Sequence, residues 1–122
     1  MANPKVMIVD DNKKFLEELE DTLTSSGYET IVTADPQAVL PIVSAEKPHV
    51  ILLDLKMPGK SGFQVAHDLR HVPEIMHIPI IAMTASFNYG YQTLLDMCDI
   101  KKCLKKPFTP LEVITEIEAV LV

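Results

Sequence analysis

The chain is predicted to fold as one α/β domain, a parallel sheet with helices packed on both faces. Three observations predict it. Short apolar runs alternate with segments of helical period from one end to the other, joined by short connections. The runs Val6–Val9, Val50–Leu53 and Ile78–Met83 show little polar alternation, as strands buried on both faces require. Polar side chains gather immediately after these runs, at the strand ends where open α/β sheets bind their ligands. At 122 residues, 48% hydrophobic and 23% charged, the sequence has the size and composition of one globular domain spanning 1–122. It contains no repeat, low-complexity tract or linker.

Each element has a local reason. Val6-Met7-Ile8-Val9 is the first strand. Asp10-Asp11-Asn12 supplies capping residues for a helix carrying Phe15, Leu16, Leu19 and Leu23 at helical spacing, closed by Gly27. Tyr28–Thr33 is the second strand. Asp35 caps a helix with Pro36 at its first position, and Pro41 should kink or shorten it. Val50–Leu53 is the third strand, and Lys56-Met57-Pro58-Gly59-Lys60-Ser61-Gly62 a loop. Phe63–Val72 is a helix with Val65, Leu69 and Val72 toward the core. Ile78–Met83 is the fourth strand, with Pro79 at its start. A weaker helical segment covers Asn88–Met97, and Cys103-Leu104-Lys105 is a short fifth strand. Thr109-Pro110 starts a last helix carrying Leu111, Ile114, Ile117 and Leu121.

Charge and composition narrow the function. A net charge of −6 disfavours nucleic acid or an anionic membrane surface as a direct partner. The apolar runs are a handful of residues long, whereas a membrane span needs about 20. The start has no signal-peptide apolar region, so the expected location is cytoplasmic, with Cys98 and Cys103 as reduced thiols.

The strand ends carry the chemistry. Asp10 and Asp11 follow the first strand, Asp54 the third, Thr84 the fourth, and Lys106-Pro107 the fifth. Each has an ordinary reading: Asp10 and Asp11 as helix caps, Thr84 as an end-of-strand hydroxyl, Lys106-Pro107 as a turn. Their joint occurrence at one rim is what points to chemistry. Three clustered carboxylates repel one another unless a cation neutralises them, and an all-oxygen set suits Mg²⁺. A carboxylate can act as nucleophile toward phosphorus. Metal, lysine and hydroxyl can then divide the charge on the transferring group's oxygens.

With these residues in place, the sequence resembles the receiver domain of two-component response regulators, in particular chemotaxis-type regulators. The motifs are Val9-Asp10-Asp11-Asn12, Leu53-Asp54-Leu55-Lys56-Met57-Pro58-Gly59, Met83-Thr84-Ala85 and Lys105-Lys106-Pro107-Phe108. The resemblance implies a flavodoxin-like (βα)5 three-layer sandwich with strand order 2-1-3-4-5. It implies that Asp54 accepts a phosphoryl group from a sensor histidine kinase or histidine phosphotransfer protein. Asp11, Asp54 and the backbone carbonyl of Lys56 would bind Mg²⁺ directly, and Asp10 through a water. Thr84 and Lys106 would hold the phosphoryl group, with Pro107 after a cis peptide bond. Such a domain is a regulatory phosphoacceptor that turns over no separate substrate. It passes its state to a downstream target protein or output domain through the face made by the fourth helix, fifth strand and fifth helix. Lys56 and Ser86 occupy the positions that tune phosphoryl lifetime in this family, and neither is suited to orienting an attacking water.

The sequence departs from the family at three places. Cys103 stands where a switch aromatic is usual, Asp99 where glycine is frequent, and Gly90 lies near the start of the fourth helix. Phe87, Tyr89 and Tyr91 beside it are three of seven aromatics, a candidate docking patch. Cys103 keeps a second reading open, a pseudo-receiver used as a docking scaffold. An aspartate-nucleophile phosphatase would want D-x-D on the first strand, whereas Lys56 lies two residues after Asp54. A flavodoxin phosphate loop is incompatible with Asp10-Asp11. His67-Asp68-Leu69-Arg70-His71 resembles the H-E-x-x-H zinc motif, but Asp is short for the general base and both histidines fall on the solvent face. Cys98 and Cys103 have no partner histidine motif for a structural zinc site. Lys101, Lys102 and Lys105 suit an edge strand, where lysines discourage pairing.

Overall fold

The structure, a computed structural model, describes residues 3–122. Five strands, β1 (Lys5–Val9), β2 (Glu29–Thr33), β3 (Val50–Asp54), β4 (Ile80–Thr84) and β5 (Lys102–Lys105), alternate with five helices. These are α1 (Lys13–Ser25), α2 (Val39–Glu46), α3 (Gly62–Arg70), α4 (Tyr89–Met97) and α5 (Pro110–Leu121). All strand pairs are parallel and the order is β2-β1-β3-β4-β5, as the resemblance implies. The chain leaves β1 toward one edge and returns to β3 on the other side, so the topological switch point lies between β1 and β3. The register pairs Val9 with Leu53, Asp54 with Met83 and Thr84 with Lys105, which sets Asp10, Asp54, Thr84 and Lys106 along one rim.

The two faces of the sheet build separate cores. Met7, Val9, Ile51, Leu53 and Ala82 pack with Val39 and Val43 of α2, Val65 and Leu69 of α3 and Leu95 of α4. Val6, Ile8, Leu52, Ile81 and Met83 pack with Leu16, Leu19 and Leu23 of α1 and Val113 and Ile117 of α5. Period-two alternation within each strand feeds both layers, and this is why β1, β3 and β4 read as unbroken apolar runs.

Several local expectations change. Pro36 opens a 3₁₀ turn, Pro36–Ala38, with Asp35 accepting from the Gln37 N–H at 2.9 Å. The α-helix begins only at Val39, which places Pro41 in its first turn, where a missing N–H leaves no bond unmade. The proline therefore shortens the helix to eight residues. Leu111 is 75% exposed; Val113 and Ile117 carry the buried face of α5, with Ile114 half-buried. Ile78 and Pro79 precede β4, whose last residue is Thr84.

Asp99 adopts a left-handed conformation (φ 54°) after α4, and the Ile100 N–H closes back on the Leu95 carbonyl at 2.8 Å. Glycine would adopt this conformation without strain. Here Arg70 supports it. Its Nε donates to the Cys98 carbonyl (2.9 Å) and Nη2 to that of Asp99 (3.1 Å), while Nη1 donates to the carbonyls of Met76 (2.8 Å) and Ile78 (2.7 Å). One guanidinium thus ties the end of α3 to the end of α4 and the approach to β4.

Candidate functional site

Asn12, and neither aspartate before it, caps α1: its Oδ1 accepts the Phe15 N–H at 3.1 Å. Asp10 and Asp11 are left for other work. Asp10 is fully buried; its Oδ1 accepts the Asn12 N–H (2.9 Å) and its Oδ2 accepts from Lys106 Nζ (2.5 Å). Asp11 is exposed. Asp54, at the end of β3, is 5% exposed, and Lys106 Nζ stands 3.5 Å from its Oδ1. Carboxylate oxygens of Asp10, Asp11 and Asp54 all lie within 4.8 Å of one another.

This crowding has an electrostatic result. Burial, and then the charge of Asp10, push the Asp54 carboxyl up to about 6 against the partial relief from Lys106, with Asp11 adding to the rise. Removing the proton from Asp54 leaves three carboxylates facing one ammonium. An oxygen-preferring divalent cation fits that donor set and its excess charge. Lys56 and Ser86 line the same cleft of about 340 Å³, together with Thr84, Asn88 and Tyr91.

Lys106 reaches the cleft from the end of β5, where its backbone N–H donates to the Thr84 carbonyl at 2.8 Å and the Lys106–Pro107 peptide is cis. Its ammonium also sits 4.2 Å above the ring centroid of Phe15, whose edge meets Phe108. Thr84 is 3% exposed, and its hydroxyl is engaged both ways with Ser86: Oγ1 donates to the Ser86 carbonyl (2.9 Å) and accepts the Ser86 N–H (3.2 Å). Cys103 is half-buried in the α3/α4 core, and burial raises its thiol pKa. Tyr91, half-buried, meets Phe63 (5.2 Å between centroids) and Phe87 (5.8 Å), both edge-on. Tyr89 stays fully exposed.

Gly62 is a site residue that sequence reasoning missed. It opens α3 beneath a Ser61–Gln64 capping box, and its N–H donates to the Leu55 carbonyl at 3.0 Å. A Cβ there would lie 2.2 Å from the Asp54 carbonyl oxygen and 2.8 Å from Leu55 Cα. The absent side chain lets α3 begin directly against the backbone that carries Asp54. A glycine at the first position of an otherwise well-capped helix is the available signal, since propensity disfavours it there. Phe15 reads from its spacing as a core residue, and nothing in the sequence announces its contact with Lys106. His67 and His71 stay on the solvent face, as expected, and Asp68 is paired with Lys60 at 2.5 Å.

Comparison with known proteins gives consistent results. Residues 6–118 match the family model for the response regulator receiver domain. The chain is 34% identical over 104 residues to the polar-differentiation response regulator DivK of Brucella anthropi, covering 85% of each chain. DivK of Brucella ovis matches to the same extent. Among solved structures, the Vibrio cholerae chemotaxis protein CheY4 superposes with a TM-score of 0.93 at 27% identity, covering 98% of this chain and 100% of that one. A putative response regulator from Chloroflexus aurantiacus gives 0.90 at 26% identity, covering 98% of each.

Proposed function

Because the chain belongs to the receiver-domain family of two-component response regulators, we propose that it accepts a phosphoryl group on Asp54 from a phosphohistidine donor, a sensor histidine kinase or histidine phosphotransfer protein. The observation that carries this reading is Asp54 itself, a buried strand-end carboxylate with two further aspartates and one lysine converging on it. In the transfer, an Asp54 oxygen attacks phosphorus, the donor's N–P bond breaks, and its imidazole leaves with the nitrogen electron pair. Mg²⁺ held by Asp11, Asp54 and the Lys56 carbonyl, with Asp10 in the outer shell, would neutralise charge on the phosphoryl oxygens. Lys106, already against Asp10 and Asp54, would pair with one of those oxygens.

The test uses a small donor such as acetyl phosphate and intact-mass measurement. One phosphoryl group should add with Mg²⁺ present, and none in EDTA or in Asp54→Asn. Undiminished uptake in Asp54→Asn would exclude Asp54 as the acceptor, and undiminished uptake in EDTA would exclude the metal requirement.

Thr84 links the site to its surroundings. To bond a phosphoryl oxygen, its hydroxyl must release the Ser86 carbonyl, at a cost of about 1 kcal/mol. A charge-assisted bond to the phosphoryl group more than offsets that. The Ser86 end of the connection is then free to move, and it leads directly into Phe87, Asn88 and Tyr91. Cys103 is too small to transmit much by rotating. On activation with beryllofluoride, hydrogen exchange should therefore change over residues 86–91 while Cys103 and β5 remain quiet. Changes confined to β5 would contradict this route. The α4-β5-α5 face is the surface on which a downstream target or output domain would read the result.

A further inference from the structure

We propose that His67 and His71 form a chelating site for a late first-row divalent cation with right-angle coordination, Cu²⁺ or Ni²⁺, distinct from the acidic cleft. Both side chains are exposed at the C-terminal end of α3, His67 in its last turn and His71 at the C-cap four residues on, and their ring centroids are 4.2 Å apart at 44°. His71 Nδ1 lies 2.7 Å from the His67 carbonyl oxygen. A carbonyl only accepts, so Nδ1 carries the proton, and in the neutral ring Nε2 keeps the lone pair that can bind a metal. That arrangement, one ring nitrogen donating to a backbone carbonyl, is how metal-binding imidazoles are commonly oriented. The C-terminal end of a helix also favours a bound cation.

The spacing selects the metal. An imidazole centroid stands about 3.2 Å from an ion bound at about 2.0–2.1 Å. Two such rings on one ion have centroids about 4.5 Å apart at a right angle and about 5.2 Å apart at the tetrahedral angle. The observed 4.2 Å lies near the first value. Tetragonal nitrogen sites suit Cu²⁺ and Ni²⁺, and both are borderline acids that prefer imidazole to carboxylate. Asp68, between the two histidines in sequence, is held by Lys60 and supplies neither a third ligand nor a base. The protein therefore contributes two ligands and water fills the rest, a chelate without hydrolytic machinery.

Ni²⁺ is the probe, because it does not oxidise the thiols of Cys98 and Cys103. Calorimetric titration in excess Mg²⁺ should show one saturable site of micromolar affinity, with Ni²⁺ bound more tightly than Zn²⁺. In nuclear magnetic resonance the imidazole signals of His67 and His71 should broaden before those of His49 and His77. Loss of one of two chelating imidazoles, in H67Q or H71Q, should weaken binding about tenfold or more; both positions are exposed, so folding is spared. Binding in Asp54→Asn should be unchanged. Absence of saturable binding, or binding unaffected by H67Q and H71Q, would overturn the site. Zn²⁺ binding at least as tight as Ni²⁺ would overturn the right-angle assignment.

Discussion

Asp54→Asn is expected to make the protein more stable while removing its capacity to accept phosphate. The Asp54 carboxyl is raised to about 6 in the folded chain from an ordinary value of 3.8. Between those values the folded state holds a proton that the unfolded state has lost. Stability therefore falls as pH rises through about 4 to 6, and the penalty is fully present above about 6. A tenfold change in proton affinity corresponds to about 1.4 kcal/mol, so the roughly hundredfold change here sets an upper limit of about 3 kcal/mol on the relief in metal-free buffer at neutral pH. For a domain of this size that raises the melting temperature by several degrees. The advantage of the variant should shrink on acidification toward pH 4. Added Mg²⁺ should raise the melting temperature of the parent protein more than that of the variant. Thermal denaturation across this pH range would measure both effects; equal stability of the two proteins at neutral pH would show that the crowding of carboxylates carries no cost.

Gly62→Ala is expected to have an opposite and larger effect. Its methyl group would sit 2.2 Å from the Asp54 carbonyl oxygen, and the obstructing atoms are backbone, so no rotamer can relieve the clash. Either α3 withdraws or the end of β3 shifts. Overpacking typically costs about 1–3 kcal/mol, and a clash with fixed backbone belongs at or beyond the top of that range. Because the displaced backbone is that of the acceptor, phosphoryl uptake should slow as well. Gly90→Ala is the matched control. Nothing lies within 4 Å of the added carbon there, and an alanine in the first turn of α4 should stabilise by up to about 1 kcal/mol. Chemical denaturation of both variants tests the contrast; a Gly62→Ala protein as stable as the parent would remove Gly62 from the site.

The difference between Asp54 and Gly62 shows what kind of information a linear sequence carries. Asp54 and Thr84 can be picked out because each ends an apolar run, and a polar group at the mouth of a buried strand has few structural uses; Lys106 is found by its place after the short fifth strand, before Pro107. That β1, β3 and β4 lie in a parallel sheet covered on both faces follows from the same runs, whereas their order rests on the family resemblance. Gly62, Phe15 and Arg70 act through partners brought close only by folding: Gly62 on Asp54, Phe15 under Lys106, Arg70 on Cys98 and Asp99. No periodicity encodes such contacts. Asp10 and Asp11 are adjacent in sequence yet buried and exposed respectively, a division set by where β1 stops. Leu111 misleads because a helix start admits several apolar phases, and burial of Val113 decides between them.

The grip of Arg70 also determines how α4 can move. The helix is fastened at its far end, where Leu95 and Cys98 are buried and the guanidinium holds the closing carbonyls. Its near end is more loosely fitted: Asn88 makes no side-chain capping bond among the described residues, and a Cβ at Gly90 would meet only open space, so Tyr91 is the main anchor there. A rod clamped at one end pivots there and sweeps widest at the other. A disturbance arriving through Ser86 would therefore be magnified at Tyr89 and die away toward Met97. A partner lying along α4 would feel a graded tilt, strongest beside the cleft, and its orientation on the helix would decide how much of the signal it receives.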